Sequence, residues 1–231
     1  MALIIRSNQK TAVKICGITN SNQAVEIAKL GVDAIGVIGV KSSSRFVEEE
    51  RRKKIFNALQ VKCQSVERVW VVADINDKEL FNGLNGFGLP SVVQLHGHET
   101  IKKCKELKES FSSIKFWKAI RIKSKDDLDL IQDYSSSVDA ILIDAWSPNA
   151  LGGSGNQIPV EWLKNKEFSI PWWLAGGVSP EWIGSALQEI SPYGVDASSK
   201  LEVKPGEKDI KKVKSLLKIV KNKKLFLKKQ E

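Results

Sequence analysis

Strict alternation is the feature that most narrows what this chain can fold into. Eight short apolar runs each precede a run of helical period, and no low-complexity linker separates them. The strand-like runs are Ala12–Cys16, Ala34–Ile38, Val66–Ala73, Val92–Leu95, Lys115–Ile120, Ala140–Asp144, Trp172–Ala175 and Gly194–Ala197. Helices are predicted over Ser21–Leu30, Val47–Leu59 and near Lys78–Leu84, and one carries Ile101, Cys104 and Leu107 on a single face. Later helices start at the capping box Ser124/Asp127, at Pro159, and at Ser179-Pro180-Glu181, where serine caps and proline takes the first helical position. Such alternation implies an α/β fold with a parallel sheet and right-handed crossovers. Eight units in 231 residues suit a single (β/α)8 TIM barrel better than an open doubly wound sheet. A dinucleotide-binding sheet would also show GxGxxG after its first strand, where this chain has Cys16-Gly17-Ile18-Thr19-Asn20-Ser21. Residues 1–231 are therefore read as one barrel domain, closed by a lysine-rich helix and tail from about 207.

The net charge of +9 would suggest a nucleic-acid partner if it were spread over the molecule. It is not. Lys204 to Glu231 holds eleven lysines against Glu207, Asp209 and Glu231, so the body of the chain is close to neutral. Ile210, Val213, Leu216, Leu217 and Val220 recur there at helical spacing, which puts the lysines on a solvated face. Neither nucleic acid nor membrane is an expected partner: there are no interleaved aromatics and no run long enough to span a bilayer. The opening Met1–Ile5 is too short for a signal peptide and is interrupted by Arg6. Cys16, Cys63 and Cys104 are odd in number and form no CxxC, which fits a cytoplasmic, reducing setting.

Chemistry in such a barrel gathers where the strands end. The ends read Cys16, Asp74, His96 just beyond Gln94, Arg121, Asp144 and Asp196. Each has a structural alternative: aspartates cap helices, arginines pair with them, and cysteine fills space as a small hydrophobe. The late loops carry a second signal. Gly152-Gly153-Ser154-Gly155, Gly176-Gly177 and Ser198-Ser199 follow strands six, seven and eight in turn. Glycine lets backbone N–H groups approach an anion, and hydroxyls add donors beside a helix N-terminus. Gly153, Ser154, Gly155, Gly176, Gly177, Ser198 and Ser199 are thus candidate phosphate ligands. Turn chemistry explains one such loop easily and three in succession less well. Cys16 and Asp144 form a candidate base and acid. Lys14, on the same strand face as Cys16, either lowers the thiol's pKa or neutralises a barrel carboxylate. His96 and His98 are the only histidines and have no cysteine pair near them in sequence, so no metal site is expected.

These residues resemble the phosphoribosylanthranilate isomerase family of tryptophan biosynthesis over nearly the whole chain, from Lys14 to Asp209. The likeness is carried by Lys14-Ile15-Cys16-Gly17-Ile18-Thr19-Asn20, Ser44-Arg45-Phe46-Val47, Gln94-Leu95-His96-Gly97, Ile143-Asp144 and Gly152-Gly153-Ser154-Gly155. Leu174 to Pro180, Gly194 to Ser199, and Pro205-Gly206-Glu207-Lys208-Asp209 complete the set in family order. The resemblance implies a cofactor-free Amadori rearrangement of a phosphosugar substrate by a monomer or homodimer. It assigns Asp144 as general acid, Cys16 as general base, and Arg45 to the anthranilate carboxylate. His96 and Asp196 are assigned to substrate binding, with Asp196 on the sugar hydroxyls. The acid must be protonated to act, so its surroundings are expected to favour the neutral form. The loop Ile38-Gly39-Val40-Lys41-Ser42-Ser43 lacks the family's aromatic and proline, and Trp146 is a candidate for part of the missing ring wall. A histidine-synthesis sugar-phosphate isomerase is expected to carry two aspartates where this chain has Cys16 and Asp144. Indole-glycerol-phosphate synthase calls for catalytic lysine and glutamate at strand ends, and none are found. A non-catalytic phosphosugar binder would not need Cys16 and Asp144 intact.

Overall fold

The structure is a computed structural model and describes residues 10–146 and 156–221. Eight parallel strands close into a barrel in sequence order, with β1 pairing β2 on one side and β8 on the other. They are β1 (Ala12–Cys16), β2 (Ala34–Ile38), β3 (Glu67–Val72), β4 (Val92–Leu95), β5 (Lys115–Ile122), β6 (Ala140–Ala145), β7 (Trp172–Leu174) and β8 (Gly194–Ala197). The helices are α1 (Ser21–Lys29), α2 (Glu49–Lys62), α3 (Asp77–Gly83), α4 (Ile101–Ser110), α5 (Leu130–Tyr134), α6 (Val160–Leu163), α7 (Pro180–Glu189) and α8 (Ile210–Lys221). The (β/α)8 architecture read from the alternation is therefore the architecture present.

Side-chain alternation along each strand builds two cores. Val69, Val71, Val92, Trp117, Ala119, Leu142 and Trp173 fill the barrel, with the two tryptophan rings 4.9 Å apart. Ile15, Ile35, Phe116, Ile120, Ile141 and Ile143 instead meet the helices, and Val213, Leu216, Leu217 and Val220 seal α8 onto that outer core. Each fully buried large side chain contributes about 1.5–3 kcal/mol by leaving water. Helix starts are fixed locally: the side chains of Asn20, Asn76 and Thr100 each accept a hydrogen bond from a first-turn N–H. All three cysteines are free. Among the described residues no helix is long and apolar enough to cross a membrane.

Three local features differ from the sequence expectation. Helix α2 starts at Glu49 rather than Val47, because Val47 N–H still donates to Ile38 O at 2.9 Å and keeps the chain extended. The Ser124/Asp127 capping box is present, but it opens a 3₁₀ turn (Lys125–Asp129) before the short α5. An antiparallel hairpin, β9 (Glu202–Lys204) with β10 (Glu207–Lys208), stands between β8 and α8. Its Pro205-Gly206 turn, with Gly206 at φ +82°, is the sequence signal that identifies it.

Candidate active site

The ends of the strands sort into a deep group and a rim group. Asp74, His98 and Arg121 make up the rim. Asp74 Oδ1 accepts from His98 N–H at 2.6 Å, its Oδ2 lies 3.0 Å from His98 Nδ1, and Arg121 Nη2 is 3.2 Å from His98 Nε2. Arg121 is register-paired with Asp144, yet its guanidinium turns to the rim histidine. Asp74 holds φ +50° to make these bonds.

Cys16 ends β1 and is 6% exposed. Gly36 faces it in register, and a Cβ there would stand 2.6 Å from its Sγ, so only glycine leaves room for the thiol. Gly17 follows at φ +79°, a left-handed conformation that lets the chain leave the barrel at once. Lys14, fully buried, places Nζ 2.7 Å from Asp196 Oδ2 across the β1–β8 register pair. Lys14 takes up both roles read for it from sequence: it pairs with Asp196, and its hydrogen bond and charge also act on the Cys16 thiol. Burial works to lower the Lys14 ammonium, but Asp196 and Cys16 outweigh it and hold the group above its ordinary value. For Cys16 burial is the larger influence and pushes the thiol up. Lys14 and Lys208 oppose that rise and Asp196 adds to it. The expected lowering by Lys14 is thus real in sign but smaller than the cost of desolvating a thiolate.

Asp144 is the penultimate residue of β6 and is buried, with Oδ2 3.2 Å from His96 Nε2. The two are close but misaligned, since His96 Nε2 makes no hydrogen bond. Gln94 Nε2 lies 3.0 Å from His96 Nδ1; an amide N–H donating there places the ring proton on Nε2, the nitrogen nearest Asp144. His96, read from sequence as a substrate ligand, therefore stands against Asp144. Behind it, the β4 loop is bolted down by a buried pair. Lys118 Nζ lies 2.9 Å from Glu99 Oε2 and 2.7 Å from Gly97 O, and Glu99 accepts from the N–H of Asp74 and Gly97.

Gly176 and Gly177 follow β7 at φ +82° and +61°. Ser198 Oγ donates to Cys16 O at 3.0 Å, so this hydroxyl ties β8 to β1, and Ser199 opens a 3₁₀ turn. Gly153, Ser154 and Gly155 lie outside the described residues. Arg45 reaches the mouth from the loop after β2 and meets Glu202, which in turn meets Lys208. Sequence reasoning missed Glu202 and Lys208 as members of the site. The Pro205-Gly206 hairpin signal would have found them, because it pairs their positions in register. Trp146, 37% exposed beyond the acid, has the Lys123 ammonium 5.1 Å from its ring centroid.

Comparison with known proteins agrees with this architecture. Residues 13–219 match the family model described as N-(5'phosphoribosyl)anthranilate (PRA) isomerase. The N-(5'-phosphoribosyl)anthranilate isomerase of Synechococcus elongatus is 41% identical, covering 88% of this chain and 93% of that protein. The crystal structure of phosphoribosyl anthranilate isomerase from Thermotoga maritima superposes with a TM-score of 0.81 at 28% identity, covering 91% of this chain and 98% of the other. A phosphoribosyl anthranilate isomerase solved with reduced 1-(o-carboxyphenylamino)-1-deoxyribulose 5-phosphate gives 0.74 at 28% identity, with the same coverage of both chains.

Proposed function

The chain belongs to the N-(5'-phosphoribosyl)anthranilate isomerase family, and from that premise we propose that Asp144 and Cys16 are the acid and base of its reaction. The reaction is the Amadori rearrangement of N-(5-phosphoribosyl)anthranilate to the carboxyphenylamino-deoxyribulose phosphate. Asp144 gives a proton to the ribose ring oxygen, and the ring opens to a Schiff base. The Cys16 thiolate then removes the proton from C2, and the resulting enolamine tautomerises to the ketone. Both steps are proton transfers and call for no cofactor.

The observation that carries this reading is the seating of two buried proton-transfer groups on β1 and β6, three strands apart around one barrel mouth. His96 Nε2–H, close to Asp144, supports the carboxylate that forms as the proton leaves. Asp196, held by Lys14, is the ligand for the sugar hydroxyls, and Arg45 receives the anthranilate carboxylate. The glycines after β7 and in the 152–155 loop, with Ser198 and Ser199, grip the phosphate. Ser198 enters that grip through its backbone, its hydroxyl being bonded to Cys16 O. The partner is thus a small phosphosugar, and the chain works as one barrel unit in the cytoplasm. Turnover of freshly generated substrate tests the assignment. Cys16→Ser and Asp144→Asn should each lose about 10²- to 10⁴-fold in kcat, the range for a general acid or base. Full activity in both variants would remove the mechanism.

A further inference from the structure

The guanidinium of Arg45 is already half engaged. Its Nε lies 2.8 and 3.0 Å from the two carboxylate oxygens of Glu202, and its Nη2 lies 2.7 Å from Oε2. A guanidinium offers five N–H donors in a rigid fork. Glu202 occupies the Nε/Nη2 side, which leaves the Nη1/Nη2 end for another acceptor. At that end Ser44 Oγ stands 3.4 Å from Nη1, too far to hold it strongly.

Glu202 is as firmly placed as the fork it holds. Its side chain is 5% exposed, and Oε1 also accepts from Lys208 Nζ at 2.6 Å and from Gly206 N–H at 3.1 Å. Burial acts to raise the Glu202 carboxyl, but Arg45 and Lys208 outweigh it and keep the group below the usual glutamate range. Lys208 continues inward to Ser198 O and Oγ at 3.2 and 3.3 Å, and Ser198 Oγ reaches Cys16 O. The Arg45 stem lies directly on the turn after Cys16, for a Cβ on Gly17 would stand 2.6 Å from Arg45 Cδ. Guanidinium, carboxylate, ammonium and the end of β1 therefore form one block. Arg45, Lys208 and Glu202 together carry a single positive charge, which one further carboxylate neutralises.

We propose that Glu202 is a positioning residue that sets which edge of Arg45 meets the substrate, and that it thereby selects N-aryl phosphoribosylamines with an ortho carboxylate over those without one. This rests on the reading that Arg45 receives the anthranilate carboxylate. Glu202 touches no reacting atom. It fixes the direction of the free guanidinium edge, so the substrate carboxylate meets that edge on line and is bound more tightly. A glutamine there keeps the shape but loses the charge that orients the fork.

Wild type, Glu202→Gln, Glu202→Asp and Arg45→Ala are compared on phosphoribosylanthranilate and on the analogue made from aniline. Glu202→Gln should raise KM for the anthranilate substrate by about 10- to 100-fold, as expected for a charge-assisted hydrogen bond, with kcat changed by less than about 3-fold. On the aniline analogue, which has no carboxylate for the fork to receive, KM should change by less than about 3-fold. Glu202→Asp keeps the charge but draws the fork back, and its KM should fall between the two. Should Glu202→Gln not fold, Glu202→Asp carries the test through the same substrate contrast. Equal effects on both substrates, or none on either, would overturn the proposal. Loss of discrimination in Arg45→Ala but not in the Glu202 variants would overturn it while leaving the Arg45 reading intact. Unchanged discrimination in Arg45→Ala would instead remove that reading.

Discussion

The two sides of the barrel mouth are built on opposite electrostatic plans. Around Cys16, charge is dense and interleaved: Lys14 with Asp196, then Arg45 and Lys208 with Glu202. Among the described residues, Asp144 has His96 3.2 Å away, with Gln94 on the far side of that ring. A thiol becomes a base only as an anion, and a carboxyl becomes an acid only when neutral. Cations stand beside the first and an imidazole beside the second, which suits the roles proposed for them. The contrast also shows that a buried charge does not by itself mark chemistry. Lys118–Glu99 is buried as deeply as Lys14–Asp196, yet it lies at the outer layer and bolts a loop.

Breaking that outer pair gives the largest effect on folding. Lys118→Met leaves Glu99 buried and unpaired, and should lower stability by about 3–5 kcal/mol. The pH dependence of catalysis in the surviving folded enzyme should remain that of wild type. A matching shift in catalytic pH dependence would erase the distinction between the two buried pairs. On the proposed acid side, His96→Asn removes the imidazole 3.2 Å from Asp144 and should lower kcat by about 10- to 100-fold, the worth of the hydrogen bond it would make to the carboxylate as that charge forms. KM for the substrate should stay within about 3-fold if His96 works through Asp144 as proposed. A change confined to KM would return His96 to the substrate-ligand role read from sequence.

The smallest effect concerns the charge cluster at Glu202. Its carboxyl is held below the usual range in the folded protein, so its stabilising contribution is complete above the unfolded value of 4.5. That contribution fades as pH falls through the lower folded value. Melting temperatures of wild type and Glu202→Gln should therefore differ at neutral pH and converge in acid. A gap that widens in acid would reverse the sign assigned to the cluster.

Most of the barrel was legible in the sequence because each unit states its period locally. The apolar alternation gives the strands, and Asn20, Asn76 and Thr100 mark helix starts with their own side chains. The position of Cys16 and Asp144 at the C-terminal ends of β1 and β6 was legible because those strands were. What escaped was long-range. Nothing near Arg45 in sequence announces Glu202, which is 157 residues away. Nothing near His96 announces that its ring stands 3.2 Å from Asp144. The effect on the thiol escaped for a different reason. A neighbouring lysine is visible in sequence, but the desolvation that outweighs it depends on how tightly Gly36 and the barrel close around the sulfur.

The central claim is that the cations on the base side hold down a thiol that burial pushes up. It is tested most directly by the pH dependence of Cys16 alkylation by iodoacetamide, followed site by site by mass spectrometry. In wild type the midpoint should lie above that of an ordinary thiol. In Lys14→Met it should move higher still, because an opposing cation is lost and Asp196 is left facing the sulfur. A midpoint that stays put or falls in Lys14→Met would contradict the account.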